Sequence, residues 1–300
     1  MKNQKEFNAL ISLLEDPDDE VFKHVFEKLS SFGTNIIPNL ENAWEDCFDP
    51  ILQKRIEELI HRIQFESIEK EFIEWSQSED TDLLKGALII SRYQYPDLNE
   101  NEVIEKIERI KTDIWIELND DLTALEKVKI FNHIFYNVHR FSGNSVNHLD
   151  PQNSFLNIVF DNKKGNSISL GIIYLAIAEM LELPIYGVNL PFHFILTYID
   201  HNEQTLSLFD EDIKERVLFY INPFNKGAIF TEKEIITYMK KVNPKLSENE
   251  IDSSFFLPCN KKTIISILLN QLIQSYESLG YITKVDELQI FMDHLKPEEN

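Results

Sequence analysis

Two side chains in the stretch 154–197 are of the right type, in the right setting, to do chemistry: Ser167 and His193. A polar Lys-Lys-Gly-Asn-Ser turn (163–167) leads into an apolar helical run, 168–183, which Pro184 stops. Two strand-like runs follow, 185–190 and 193–199. Ser167 stands where a helix N-cap belongs, and His193 opens the second strand. A hydroxyl at a helix start facing a histidine on a neighbouring strand is the arrangement of a nucleophile and its base. Each residue also has a structural alternative. As an N-cap, Ser167 contributes about 1 kcal/mol, a task that Ser169 takes over if the helix starts later. His193, between Pro191-Phe192 and Phe194-Ile195-Leu196, also suits a hydrogen-bonded core position.

Other residue types give less. His133 and His139 are six residues apart, too far round a helix for the i,i+4 geometry of a two-histidine metal site. A site of His193, Asp200 and His201 is disfavoured because the last two lie at a strand end and beyond it. Cys47 and Cys259 have neither metal-like nor C-x-x-C spacing and read as reduced thiols. Neither a metal nor a cofactor is expected.

The elements that must hold Ser167 and His193 are mostly helical. Only eight of 300 residues are glycine, which argues against a mainly β protein, and 43% are hydrophobic, enough for packed cores. The net charge of −22 disfavours nucleic acid, whose phosphates need clustered Lys and Arg. The opening residues lack the apolar core of a secretory leader, and no apolar run is long enough to cross a bilayer. The expectation is a soluble, acidic, cytoplasmic protein with a protein or peptide partner and no membrane contact.

Residues 5–64 carry helical periodicity, with restarts at Asp16-Pro17 and Asp49-Pro50 that resemble HEAT-like repeats. Gly33 is a candidate C-cap between them. Phe72 and Trp75 sit on a further helical segment, followed by helices over 83–93 and 102–116. Residues 122–139 form a strongly amphipathic helix, with Leu125, Val128, Phe131, Ile134, Phe135 and Val138 as its core face. Beyond a polar loop and the central block, 205–210 and 217–221 read as strands and 222–227 as a turn. Thr231 and Glu234 form a capping box for a helix over 231–240. Residues 246–260 are looser, and 261–279 with 282–295 form a helical hairpin around Gly280.

The central block resembles the transglutaminase-like core superfamily, which has the papain-like fold. More closely it resembles an uncharacterised bacterial branch that often carries a tetratricopeptide-like tail. The matching residues are Phe-Ser-Gly-Asn at 141–144, Asp-Pro-Gln-Asn-Ser-Phe-Leu-Asn at 150–157, and Gly165 with Ile168-Ser169-Leu170. They continue through Tyr174-Leu175-Ala176, Leu183-Pro184, Gly187-Val188, Pro191-x-His193-Phe194 and Asn222-Pro223-Phe224-Asn225. The resemblance implies an α+β fold, mostly helical. With the HEAT-like restarts, the expected domains are a HEAT-like helical region at 1–118, a core with its central helix on an antiparallel sheet at 119–245, and a TPR-like hairpin at 246–300.

In active members a cysteine at the helix start attacks an acyl carbon, a histidine on the next strand deprotonates it, and an aspartate on the strand after orients the histidine. By this resemblance Ser167, His193 and Asn222 hold the three catalytic positions. Two departures weaken catalysis. A helix dipole worth at most about 2 kcal/mol cannot ionise a serine as it can a thiol. Asn222 can orient an imidazole but cannot offset its charge.

Asp150, Asn153 and Asn157 are expected to tie the loop before the central helix into a hydrogen-bonded network, and Tyr174 and Tyr186 to sit in the core. The leading expectation is a catalytically degenerate transglutaminase-like domain, a pseudoenzyme used as a binding or scaffold module. The alternatives are a Ser-His-Asn hydrolase or acyltransferase acting on a peptide or small ester or amide, and a helical-repeat adaptor in which the core is a spacer.

Overall fold

Capping residues set where the helices start. In the computed structural model, which describes residues 4–16, 18–190, 193–200, 216–242 and 253–296, the chain packs as two units, Met1–Glu74 and Trp75–Asn300. The first unit contains α1 (Gln4–Leu13), α2 (Asp19–Ser30), α3 (Ile37–Glu45) and most of α4 (Pro50–Gln77). Asp18 caps α2 through the amides of Glu20 and Val21, and Asp49 caps α4 through those of Ile51 and Leu52. Pro50 at the first helical position needs no N–H partner there. Phe7, Leu14, Val25, Leu29, Leu40, Ile56 and Leu59 form the core of this unit. Gly33, at φ +66, opens a 3-10 turn, while α2 itself is capped at Ser31. Pro17 lies outside the described residues, and Phe72 and Trp75 fall on the same continuous helix as Ile51.

The second unit is built around a helix with no polar face. It holds α5 (Leu83–Gln94), α6 (Glu100–Glu117), α7 (Ala124–Asn132), α8 (Leu156–Asn162) and α9 (Ser167–Met180). Every residue of α9 from Ile168 to Ala178 is buried, because it is surrounded by α5, α6, α8 and a sheet. The helix ends three residues earlier than the expected 183. The N–H of Leu183 bonds to Ala178 O (2.9 Å) and that of Glu182 to Glu179 O (3.1 Å), a Schellman closure with Glu182 left-handed at φ +54. Pro184 then favours extended backbone at Leu183.

Strands β1 (Ser142–Gly143) and β2 (Lys164–Gly165) form a short parallel ribbon beside the start of α9. The main sheet is antiparallel in the order β3 (Ile185–Leu190), β4 (His193–Ile199), β5 (Val217–Asn222), β6 (Ala228–Phe230). Side chains alternate across it. Phe194 packs towards α9, where a Cβ on Gly171 would come within 2.6 Å of its ring. On the opposite face Val188, Leu190, Ile195 and Tyr220 pack with Ile235 and Met239 of α10 (Glu232–Val242) and with Phe256. Helices α11 (Lys261–Leu279) and α12 (Ile282–His294) form the expected hairpin, turned by Gly280 at φ +77. Tyr93 donates to Glu287 (2.6 Å) and Tyr276 to Gln94 (2.8 Å), fixing the hairpin to α5.

The expected helix 122–139 is two structures. Thr123 and Glu126 form a reciprocal capping box, so the α-helix begins at Ala124 and Leu125 lies in its first turn, 40% exposed. Residues His133–Val138 form a π-helix. Its wider turn rotates later residues off the apolar stripe, which leaves Val138 51% exposed while Val128, Phe131, Ile134 and Phe135 are buried. The strand expected at 205–210 and much of 246–260 lie outside the described residues.

Candidate functional site

Asn166, and not Ser167, caps α9. Its Oδ1 accepts from the amide of Ser169 (2.8 Å), and the hydroxyl of Ser169 accepts from the amide of Asn166 (3.1 Å), a reciprocal box that satisfies two amides. The sequence misleads here because Asn, Ser and Ser all stand within four residues, and each can cap. The cap is tied into the preceding loop. Asn166 Nδ2 donates to Ser154 Oγ (2.8 Å), Ser169 Oγ to Asn153 O (2.6 Å), and Asn144 Nδ2 to Asn153 Oδ1 (2.9 Å). Asp150 accepts from Gln152 N (3.0 Å) and caps the 3-10 turn at Pro151–Asn153. Asn157 differs from expectation, since its Oδ1 is buried with no partner among the described residues.

Ser167 is therefore the first residue of α9, half-buried, with no structural duty as a cap. Among the described residues no hydrogen bond joins its hydroxyl to His193 or to any other group.

His193 and Asn222 do meet. Nε2 of His193 lies 3.1 Å from Oδ1 of Asn222. The same oxygen accepts from the amides of Phe224 (3.0 Å) and Asn225 (3.1 Å), which makes it the acceptor and fixes which way the side-chain amide points. His193 Nε2 must then carry the proton, leaving Nδ1 as the basic nitrogen. Burial pushes the pKa of His193 below its ordinary 6.5, a drop that the bond to Asn222 partly offsets, so the ring is neutral at pH 7.

Two side chains brace the turn that carries Asn222. Tyr136, in the π-helix, donates to Pro223 O (2.9 Å), and Asn132 Nδ2 donates to Gly227 O (2.8 Å). Gly227 sits at φ +69 so close to Asn132 that a Cβ would come within 2.1 Å of its Oδ1. Asn132 also accepts from Tyr174 (3.2 Å), whose ring stacks on Phe131 at 3.8 Å. Sequence reading missed Asn132 and Tyr136, since nothing in the 122–139 pattern announces a π-turn.

By strand alternation His193 and Asn222 face α10, away from the helix that carries Ser167. They line a pocket of about 140 Å³ with Leu190, Ile195, Phe230, Glu234, Ile235 and Tyr238. Glu234 is engaged there as the capping partner of Thr231 (2.7 and 2.9 Å). The ring of Phe224 stands edge-on to His193, with centroids 6.5 Å apart, and closes against Gly143 of the ribbon beside the start of α9. The chemistry available is that of a neutral, oriented imidazole at the mouth of an apolar pocket.

Cys259 supplies no thiolate to this pair. Cys259 donates its thiol to Gly187 O (3.3 Å), and burial pushes its pKa up to about 12. Gly187 lies three residues along β3 from the Leu190–His193 pairing, about 10 Å away. Cys47 belongs to the first packing unit. Of the two helix histidines, His133 meets Asn137 (3.2 Å) and His139 meets Asp113 (2.8 Å). Among the described residues no three His, Cys, Asp or Glu side chains are grouped to hold a metal ion, and no helix is long and apolar enough to cross a membrane. His201 lies outside those residues.

Comparison with known proteins fits this architecture. A UPF0162 protein of Xylella fastidiosa (strain 9a5c) is 28% identical over 203 residues, covering 66% of each chain. A UPF0162 protein of Vibrio cholerae is 24% identical over 158 residues, 53% of each chain. Human F-box only protein 21 is 34% identical over 166 residues, 55% of this chain and 23% of that protein. The chain thus spans just under two thirds of the Xylella relative's length. No solved structure shows a significant match. The family model described as transglutaminase-like superfamily matches residues 101–270, which takes in α9, the whole sheet and the pair His193–Asn222. The chain belongs to the transglutaminase-like superfamily.

Proposed function

We propose that this is a catalytically degenerate transglutaminase-like domain that works as a binding or scaffold module, with Ser167, His193 and Asn222 as the vestige of a catalytic triad. The observation that carries this reading is the pairing of His193 with Asn222, with no nucleophile among the described residues bonded to the imidazole. Among the described residues the Ser167 hydroxyl has no base in contact, and burial keeps the Cys259 thiol beside β3 protonated. In this reading the core, residues 119–245, presents the pocket at His193 to an apolar group of a peptide or small ligand. The HEAT-like helices of 1–118 and the TPR-like hairpin of 246–300 serve as scaffold arms.

One observation favours a second reading, a Ser-His-Asn hydrolase or acyltransferase. The box of Asn166 and Ser169 frees Ser167 from capping, and Nδ1 of His193 is left basic. A panel of p-nitrophenyl esters and peptide anilides separates the two. A degenerate domain gives rates equal to those of Ser167→Ala and His193→Ala. A hydrolase loses at least a hundredfold in each variant while thermal melting shows that each variant is folded.

A further inference from the structure

At the other end of β3 from the His193 pocket, the loop after α4, the end of α9, the start of β3 and the start of α11 enclose a groove of about 510 Å³. That volume is within the range of ligand sites. Its floor is apolar, made by Leu83, Leu175, Leu183, Pro184, Ile185 and Ile264. Its rim carries four carboxylates, Glu79, Asp80, Glu179 and Glu182, against a single amine, Lys261. Lys261 is taken by Glu179 at 2.6 Å. Glu79, Asp80 and Glu182 have no cationic partner among the described residues, and all three are exposed. Glu182 is held at the rim in a left-handed conformation that glycine would adopt more readily.

The backbone edge of β3 is already closed here. Gly187 O accepts from the amide of Cys259 (2.8 Å), and Val188 bridges to Pro258. A ligand in the groove therefore meets side chains and does not add a strand. Charge decides between occupants. A second copy of this chain, at net charge −22, brings like charge to the rim, whereas a cationic segment replaces repulsion among three unpaired carboxylates with attraction.

We propose that this groove docks a cationic amphipathic segment of a partner protein, apolar side chains on the Leu183–Ile185 floor and lysine or arginine on Glu79, Asp80 and Glu182. The proposal stands apart from the reading of His193 and Asn222.

The test uses the full chain and a fluorescein-labelled twelve-residue peptide of Lys and Leu, read by anisotropy. Two control peptides replace every Leu by Ser or every Lys by Glu. The Lys-Leu peptide is expected to bind, and each control to bind at least tenfold more weakly. Asp80→Lys with Glu182→Lys is expected to weaken binding at least tenfold. Glu108→Lys with Glu117→Lys, the same charge change on exposed positions of α6, is expected to weaken it less than threefold. Tyr186→Ser, at the groove wall, tests the apolar side independently and is expected to weaken binding at least threefold. No binding of the Lys-Leu peptide, equal loss in the two charge-reversed variants, undiminished binding of the Lys-Ser peptide, or an unaffected Tyr186→Ser each overturns the proposal. Thermal melting confirms that every variant is folded.

Discussion

The carboxamide oxygen of Asn222 sits 3.1 Å from Nε2 of His193 while also receiving the amides of Phe224 and Asn225. One side-chain oxygen thus shapes a turn and sets a histidine tautomer. The imidazole, held by Asn222, opens onto an apolar pocket on the α10 side of the sheet.

This arrangement gives a pH dependence. Burial lowers the folded-state pKa of His193 below the unfolded value of about 6.5. Between the folded-state pKa and about 6.5 the unfolded chain therefore binds more protons than the folded one, and stability rises with pH. The contribution is fully present above about pH 6.5 and is lost as pH falls through the folded pKa. Melting curves from pH 7.5 to 5 are expected to show a steeper loss in the wild type than in His193→Gln. Parallel curves would remove the claim that the ring is buried neutral.

The helix start separates capping from chemistry. Asn166→Ala removes the acceptor for Ser169 N and the donor to Ser154, both buried, and is expected to cost about 1–3 kcal/mol. Ser167→Ala removes no hydrogen bond and is expected to stay within about 0.5 kcal/mol of wild type. Urea denaturation of both variants checks the assignment, which fails if Ser167→Ala is the costlier.

The turn at Asn222 is braced from the π-helix. Tyr136→Phe leaves Pro223 O buried without its donor, and a loss of about 1–3 kcal/mol is expected. Gly227→Ala combines a left-handed φ with a collision against Asn132 and is expected to cost more than Tyr136→Phe. Both should shift the NMR resonances of the His193 ring, because the turn positions Asn222. A stability loss with an unmoved ring would make the brace purely structural.

Much of this architecture is legible from residue order. The breaks at Asp49-Pro50, Pro184 and Gly280, the β3–β4 alternation and the buried apolar run of α9 follow from local propensity and periodicity, and they fall where expected within a few residues. The capping of α9 is less legible, because three polar residues within four positions compete and tertiary bonds to Asn153 and Ser154 choose Asn166. The π-helix is invisible to a 3.6-residue pattern, which is why Val138 is misplaced on the core face and Asn132 and Tyr136 go unnoticed as supports of the site. The facing of His193 depends on strand register. Alternation puts Phe194 and His193 on opposite faces, but only the packing of Phe194 on Gly171 says which face meets α9.

Glu182 closes the Schellman motif at φ +54 without being glycine. Glu182→Gly is expected to stabilise the chain by about 0.5–1 kcal/mol, through relief of the left-handed strain. If the groove docks a cationic segment, the same variant binds the Lys-Leu peptide more weakly. A more stable variant with undiminished binding would show that Glu182 is retained for another reason.

The account turns on whether the Ser167 hydroxyl can act as a nucleophile. Intact-mass spectrometry of the protein after incubation with a fluorophosphonate measures this directly, with Ser167→Ala and His193→Ala alongside. The degenerate-domain account predicts no adduct above the level of either variant. One adduct per chain, mapped to Ser167 and abolished in both variants, would contradict it and establish a working serine nucleophile.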